Sequence, residues 1–583
     1  MTKVSEMVSR HAKISIFLLF AVLSVAAVGV YMVKGQILSI NSNDLTFHLN
    51  RIETFRQAIV DGHGFAFRNF ETFNKIGNAI NFFYPYAYMY LWAGIYVLVP
   101  GPVTAFYLGE LLLVFATLYV AYYSARTIKI SRTFAVVFAI LWGFGTYRTH
   151  LALNIYVLGE ALAYAFIPLA LAGAYKLYFD NQRRWVLLGL GMALVTYAHL
   201  LSTLLVGGVI FVMAVFSLVI RFDWQKVINT FKAIGLYLTL TLYFFVPFVY
   251  EMKQTSIMAT IKTEHVIFLK SLTSVIENSI SNGITFDGWM DVSLGLTVMI
   301  SMALYFVWFK KLNMKERLTG GFSILLMVFS TSIFPWYGLP STLANVIQFP
   351  YRLYGLTTLF AFIWLVMYLD RTVQVSRVRK MTVGALFMFV LLISFGGQVI
   401  STYDAARKNP AVVTDEKGQV TYNVVTNDTY YDFLQKKTDY TGRADYAPIN
   451  AVDHDYRNTQ GIIDHQALVR SGAGLQKETL NPVKTTPSML RYNVKALAGN
   501  TVDVPVMIYG NEVVRINGKR VSTTRSERGT LLVKLPENAR RLTVAFGTPT
   551  WVYPLWILAV VTLVGTLFYL VKSGRKERSE DAR

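Results

Sequence analysis

Three side chains near the start of the chain have the types and spacing for proton and anion chemistry. Asp44, His48 and Arg51 stand at i, i+4 and i+7, so one helical face would bring a carboxylate, an imidazole and a guanidinium together. A carboxylate so placed can take a proton from an attacking hydroxyl, and a guanidinium suits bidentate contact with phosphate. The helix itself is legible: Leu45, Leu49, Ile52, Phe55 and Ile59 recur at spacings of 4, 3, 3 and 4. An amphipathic helix on the membrane surface is expected, its polar face in water. Asp44 follows Ser42 and Asn43, so the same carboxylate also reads as a helix N-cap.

A second group of ionisable side chains stands at the edges of apolar runs. Arg148 and His150 lie in GTYRTHLAL and Glu160 in VLGEALAYAF. His199 lies in YAHLL, and Gln348 and Arg352 in QFPYRLYG. Charges at membrane depth are costly, so each carries a functional expectation. The structural alternative is an ion-pair network orienting helices, with Glu160 balancing Arg148. Glu110, inside the run 103–123, reads as a contact to a neighbouring helix. His199 reads as a packed, hydrogen-bonded histidine, because no second ligand stands at metal spacing.

The elements that position these groups follow from composition. The 583 residues are 54% hydrophobic and 15% charged, with a net charge of +21, and the mean hydropathy is +0.43. That is too few polar side chains to cover several water-facing globules, so the chain is expected to be an integral membrane protein. Cysteine is absent, which excludes disulfides, thiolate metal sites and cysteine nucleophiles. No phosphate-binding loop, dinucleotide fingerprint or HExxH occurs, and no repeat of 20 to 50 residues is visible.

Twelve apolar runs are long enough to be read as spans: 14–33, 103–123, 133–147, 156–179, 185–200, 203–220, 231–250, 291–309, 318–335, 353–369, 381–400 and 551–571. The first reads as an uncleaved helix, since no small-x-small cleavage site closes it. The aromatic stretch 83–100 reads as an interfacial helix. With it outside the count, the loops on one side hold 23 Lys and Arg in 64 residues, against 9 in 126 for three loops on the other. Both termini are therefore expected in the cytoplasm, and nucleic acid is not a partner.

The fold class expected is an all-α polytopic membrane domain with about 12 transmembrane helices plus juxtamembrane helices. A C-terminal extracytoplasmic α+β, β-sandwich-like domain and a final transmembrane helix complete it. The domains are 1–400, with a first external loop 34–102; 401–549, β-rich in 489–549; and 550–583, the last span with its basic tail. The middle unit holds 20 Lys and Arg and 15 Asp and Glu, an ordinary water-facing composition. Within it, 504–516 and VSTTRSERGTLLVKL are expected to form a hairpin across Asn517-Gly518, followed by a strand at 541–547.

A first helix, an external acid in a juxtamembrane helix and an aromatic interfacial helix together resemble the GT-C superfamily of membrane glycosyltransferases. The stretches DLTFHLNRIE, NAINFFYPY, GTYRTHLALNIYVLGEALAYAFIPLAL, YAHLLSTLL and QFPYRLYG resemble, in that order, the bacterial YfhO-like family. That group overlaps membrane proteins labelled as related to 6-pyruvoyl-tetrahydropterin synthase, although nothing here is similar to that enzyme's histidine cluster. The resemblance extends to INGKRVSTTRSERGTLLVKL in the C-terminal unit.

The resemblance implies a transferase of the plasma membrane. It would move a sugar from a polyprenyl-phosphate donor to a cell-envelope acceptor, a teichoic-acid-type polymer, glycolipid or polysaccharide, at the outer face. It places the catalytic base on Asp44 and implies inversion at the anomeric carbon. His48, Arg51, Arg148, His150, Glu160, Gln348 and Arg352 are the expected substrate-binding residues, with Arg352 or Arg148 on the phosphate. Many relatives carry two acids or a metal in the first loop where this chain has Asn43-Asp44, so a requirement for Mg or Mn stays open. A lipid-linked glycan transporter and an inactive scaffold for envelope assembly are the alternatives.

Overall fold

The computed structural model describes residues 2–32, 35–39, 43–153, 155–180, 184–258, 266, 268–281, 292–372, 377–414, 420–435, 445–452, 457–472 and 474–581. Much of the expected 251–290 loop, and Ser42, lie outside this set.

Among the described residues, eight helices are long and apolar enough to cross a membrane: His11–Val30, Pro102–Thr127, Leu158–Phe179, Leu200–Ile220, Trp224–Gln254, Pro350–Thr372, Ala385–Asp404 and Val552–Ser573. Phe17, Val22, Phe211, Val219, Leu392, Val561 and Phe568 stand exposed on them. Such surfaces suit lipid rather than water.

All twelve expected runs fall on helices, but four helices are short. Arg132–Gly143, Trp185–Thr196, Leu296–Trp308 and Met314–Phe329 have 12, 12, 13 and 16 residues. At 1.5 Å per residue even the longest covers only about 24 Å of a ~30 Å hydrocarbon layer. The run expected to reach residue 147 stops at Gly143, and a separate helix, Thr146–Leu153, carries Arg148 and His150. The aromatic stretch is divided at Tyr84 and Pro85 into Ile80–Phe83 and Ala87–Leu98, the latter only 12 residues long. Its tyrosines also bond inward: Tyr88 donates to the Leu194 carbonyl at 3.1 Å and Tyr90 to that of Gly64 at 2.7 Å.

Close helix contact relies on small residues. A Cβ added to Gly173 would strike the Leu188 backbone, and one on Gly191 would lie 2.6 Å from the Ala170 Cα. The helices 158–179 and 185–196 therefore meet backbone to backbone, as packing in lipid favours.

The β region starts before the expected residue 489. One antiparallel sheet runs Lys519–Arg520, Val513–Ile516, Arg541–Ala545, Met489–Asn493, Lys484–Thr486. The other runs Thr524–Arg525, Thr530–Lys534, Thr501–Met507, Gln466–Ser471, Gly474–Thr479. Alternate residues, Leu490, Tyr492, Leu542 and Val544 on one sheet and Val502, Val504, Val506, Leu531 and Val533 on the other, are buried in the pattern of a sandwich. The Asn517-Gly518 turn forms with φ of 49° and 87°, and Ile516 pairs with Lys519. The hairpin is shorter than expected, however. Its return strand has two residues, and the LLVKL run pairs instead with Thr501–Met507 in the opposite sheet.

The β region is tied to the first loop. Ile37–Leu38 pairs with Val424–Val425. Arg68 meets Glu251 at 2.5 Å, at the end of the 224–254 helix, and Glu512 at 3.1 Å.

Candidate functional site

Helix Asn43–Val60 carries the first acid. Leu45, Leu49, Ile52 and Phe55 are buried as the periodicity requires, while Ala58 takes the inward place expected for the exposed Ile59. Two expectations are corrected. Asp44 lies inside the first turn rather than at the cap, where its charge complements the helix dipole. The polar face is not in water: His48, Asn50, Arg51, Glu53 and Thr54 are all buried.

That burial is made tolerable by hydrogen bonds from the NAINFFYPY stretch and the loop before it. Arg51 Nε donates to Asn81 Oδ1 at 3.1 Å, and Nη2 to the carbonyls of Tyr84 and Pro85 at 3.2 and 2.7 Å. Its guanidinium also lies 4.4 Å from the Tyr84 ring centroid. Thr54 bonds to Asn69 Oδ1 at 2.9 Å, and Asn50 Oδ1 accepts from the Phe73 amide at 3.0 Å. Arg51 thus anchors the loop, and these contacts engage its Nε and Nη2.

Arg352 and Glu160 face each other from two elements, with the Asp44 carboxyl of a third in electrostatic reach of both. Arg352 sits in the turn Pro350–Leu353, its Nη1 donating to the Ile347 carbonyl at 3.1 Å and to Gln348 Oε1 at 3.2 Å. Phe349 supports the guanidinium, with its ring centroid at 4.6 Å. Arg352 Nε stands 3.9 Å from Oε2 of Glu160, whose other oxygen accepts from the Tyr147 hydroxyl. The expected Glu160–Arg148 pairing is therefore replaced by Glu160–Arg352. Arg148 is buried on another side, where its acidic neighbour is Glu110. His150 is buried on the same short helix.

Tyr84 reaches the site because residue 159 is glycine: a Cβ there would strike the Tyr84 hydroxyl. His199 caps helix Leu200–Ile220, accepting from the Ser202 amide at 3.3 Å, and its ring lies 6.0 Å from that of Tyr84. His48 packs edge-on to Phe47 and Tyr84. Burial and the Arg51 charge push its pKa well below the ordinary value, so it stays neutral.

The sequence reading missed Asp445, which adds a second carboxylate opposite Asp44. Burial, then the Asp445 charge, pushes the Asp44 carboxyl up to about 7 against the pull of Arg352. Burial pushes Asp445 itself up to about 6. Nothing in its local sequence, RADYAP, distinguishes it from other acids of the 401–549 unit. Among the described residues, no three His, Asp or Glu side chains come together as metal ligands.

A cavity opens beside this group. Glu160, Arg352 and Tyr147 line one part, and Ile167, Leu205, Val206 and Leu356 another. A guanidinium, a carboxylate and apolar side chains thus line one small cavity between helices, and the Asp44 carboxyl stands within electrostatic reach of both charged groups.

No protein-family model matches the chain, and no curated protein matches it. Among solved structures, the chain is similar at 16% identity to arabinofuranosyltransferase AftD from Mycobacteria, over 67% of this chain and 26% of that one, with a TM-score of 0.39. It is similar at 16% identity to ArnT from Cupriavidus metallidurans bound to undecaprenyl phosphate, over 67% of this chain and 63% of that one, with a TM-score of 0.35. The chain thus spans about a quarter of AftD's length and less than two thirds of ArnT's.

Proposed function

We propose that this protein is an integral membrane glycosyltransferase that moves a sugar from a polyprenyl-phosphate donor to a hydroxyl of a cell-envelope acceptor. The observation that carries the reading is the meeting of Asp44 with Arg352 and Glu160 beside the part-apolar cavity. The donor's phosphate would lie against Arg352, with Gln348 and Phe349 holding the guanidinium. Glu160 would hold Arg352 from the far side, leaving its remaining donors for phosphate.

Asp44 would accept the acceptor's hydroxyl proton as that oxygen attacks the anomeric carbon. The new glycosidic bond forms as the bond to the phosphate oxygen breaks. The departing electron pair rests on the phosphate beside Arg352, the proton rests on Asp44, and the anomeric configuration inverts. Two cationic candidates thereby take different roles: Arg352 toward the phosphate, Arg51 in the scaffold.

The test is product analysis with purified protein, a panel of polyprenyl-phosphate sugars and envelope acceptors. Transferred sugar supports the reading. Intact lipid moved between leaflets, or neither outcome, rejects it.

A further inference from the structure

We infer that Asp445 is a positioning residue of this same site, brought in by the docked C-terminal region and acting on Asp44 through like-charge repulsion. The inference rests on the transferase reading and adds to it that the membrane domain alone does not complete the active site.

The geometry begins with the segment around Asp445, which is held on both sides. The Tyr446 amide donates to the Met258 carbonyl at 2.8 Å, the Met258 amide to the Ala447 carbonyl at 2.9 Å, and the Ile449 amide to the Ser256 carbonyl at 2.9 Å. These bonds fix 445–449 against the chain leaving the 224–254 helix. From the β region, the Tyr509 hydroxyl donates to the Tyr446 carbonyl at 2.9 Å and accepts from the Ala79 amide at 3.2 Å. The Tyr446 ring stacks on Phe83, with centroids 5.7 Å apart and planes 11° from parallel, and packs against the cluster of Phe47, Phe73 and Ile80. Phe47 is one turn beyond Asp44 on the same helix, so this packing holds the 445–446 segment beside the first turn of the helix that carries the first acid.

The charged and titratable groups facing Asp44 come from every packed element. They are Asp445 from the C-terminal segment, Arg352 from the 350–353 turn, Glu160 from the start of the 158–179 helix, and the Tyr84 and Tyr351 hydroxyls. Two buried carboxylates that feel one another's charge do not ionise together readily. Arg352 favours one negative charge among them. Asp445, the lower of the two, ionises first, and its charge holds the Asp44 carboxyl protonated to a higher pH, which makes Asp44 the stronger base. If the C-terminal region undocked, Asp44 would lose that repulsion and become a weaker base.

The test uses the full-length protein in lipid nanodiscs and follows carboxyl protonation by infrared difference spectroscopy across pH, with Asp44→Asn identifying the Asp44 band. Asp445→Asn is expected to lower the Asp44 midpoint by about one pH unit, the scale on which one neighbouring charge moves a carboxyl. Asp445→Ser serves if the amide variant fails to fold, and Asp445→Glu is expected to restore the midpoint. An unmoved midpoint in a folded Asp445 variant overturns the inference. Where sugar transfer is measured, the acid limb of kcat/KM should move down with the infrared midpoint. A shifted midpoint in a protein that transfers no sugar rejects the transferase reading while leaving the Asp44–Asp445 coupling standing.

Discussion

Arg68 Nε lies 3.1 Å from Glu512 Oε1, joining residues 444 positions apart in the chain, and neither side chain has significant contact with solvent. The same guanidinium binds Glu251, and it lies over the rings of Tyr509 and Phe546 with centroids 4.4 and 4.6 Å away. Glu512 accepts in addition from the Tyr509 and Gly510 amides. One cation therefore fastens the first loop, the end of a long helix and the β region together.

Removing that cation should loosen all three. Arg68→Met leaves two carboxylates without a counter-charge in a site closed to water. The expected loss is about 3–5 kcal/mol, the scale for breaking one partner of a buried ion pair. Thermal unfolding in detergent, together with protease sensitivity of the β region, checks it. An unchanged melting temperature would show the three contacts to be dispensable.

Asp44→Asn keeps the size of the side chain and removes the proton acceptor. Transfer is expected to fall about 10² to 10⁴-fold in kcat, with donor binding largely kept. Steady-state kinetics with the polyprenyl-phosphate sugar identified by the product screen measures this. Near-wild-type turnover would remove Asp44 from the role of base.

Arg352→Ala should act on donor binding. A hydrogen bond to a charged group is worth about 1.5–3 kcal/mol, so donor affinity should weaken by roughly 10-fold or more. Gln348→Ala, which removes only the side chain holding Arg352 Nη1, should act in the same direction to a smaller extent. Lipid-phosphate binding to the two purified variants decides it, and equal affinity in Arg352→Ala would reject the phosphate role.

The two raised carboxyls carry a defined sign for stability. Asp44 moves from an ordinary 3.8 up to about 7, and Asp445 from 3.8 up to about 6. Between the unfolded and folded values the folded protein holds more protons, so its stability falls as pH rises from about 4 through about 7. Melting temperatures in detergent at pH 5 and pH 8 should fall more for the wild-type protein than for Asp44→Asn. Parallel declines in the two proteins would contradict the assignment.

Much of the molecule is legible in composition and periodicity, because lipid imposes a simple rule. Backbone polar groups must be satisfied within each segment, so long apolar runs become helices, and all twelve runs did. The helix at 43–60 and its buried Leu45, Leu49, Ile52 and Phe55 follow from spacing alone, as does the Asn517-Gly518 turn from its need for positive φ. Pairing does not follow from spacing. Glu160 and Arg148 are near neighbours in sequence, yet Tyr147 and Arg352 reach Glu160, because Tyr147 and Arg148 are consecutive on one short helix and so leave it in different directions, Tyr147 toward Glu160. Arg51, expected on a wet face toward substrate, is enclosed by Asn81, Tyr84 and Pro85, which only the folded first loop supplies. Asp445 stands 401 residues after Asp44, and no local pattern relates them. Their meeting depends on the ladder to Met258 and the stacking of Tyr446 on Phe83, long-range contacts that exist only once the C-terminal region has docked.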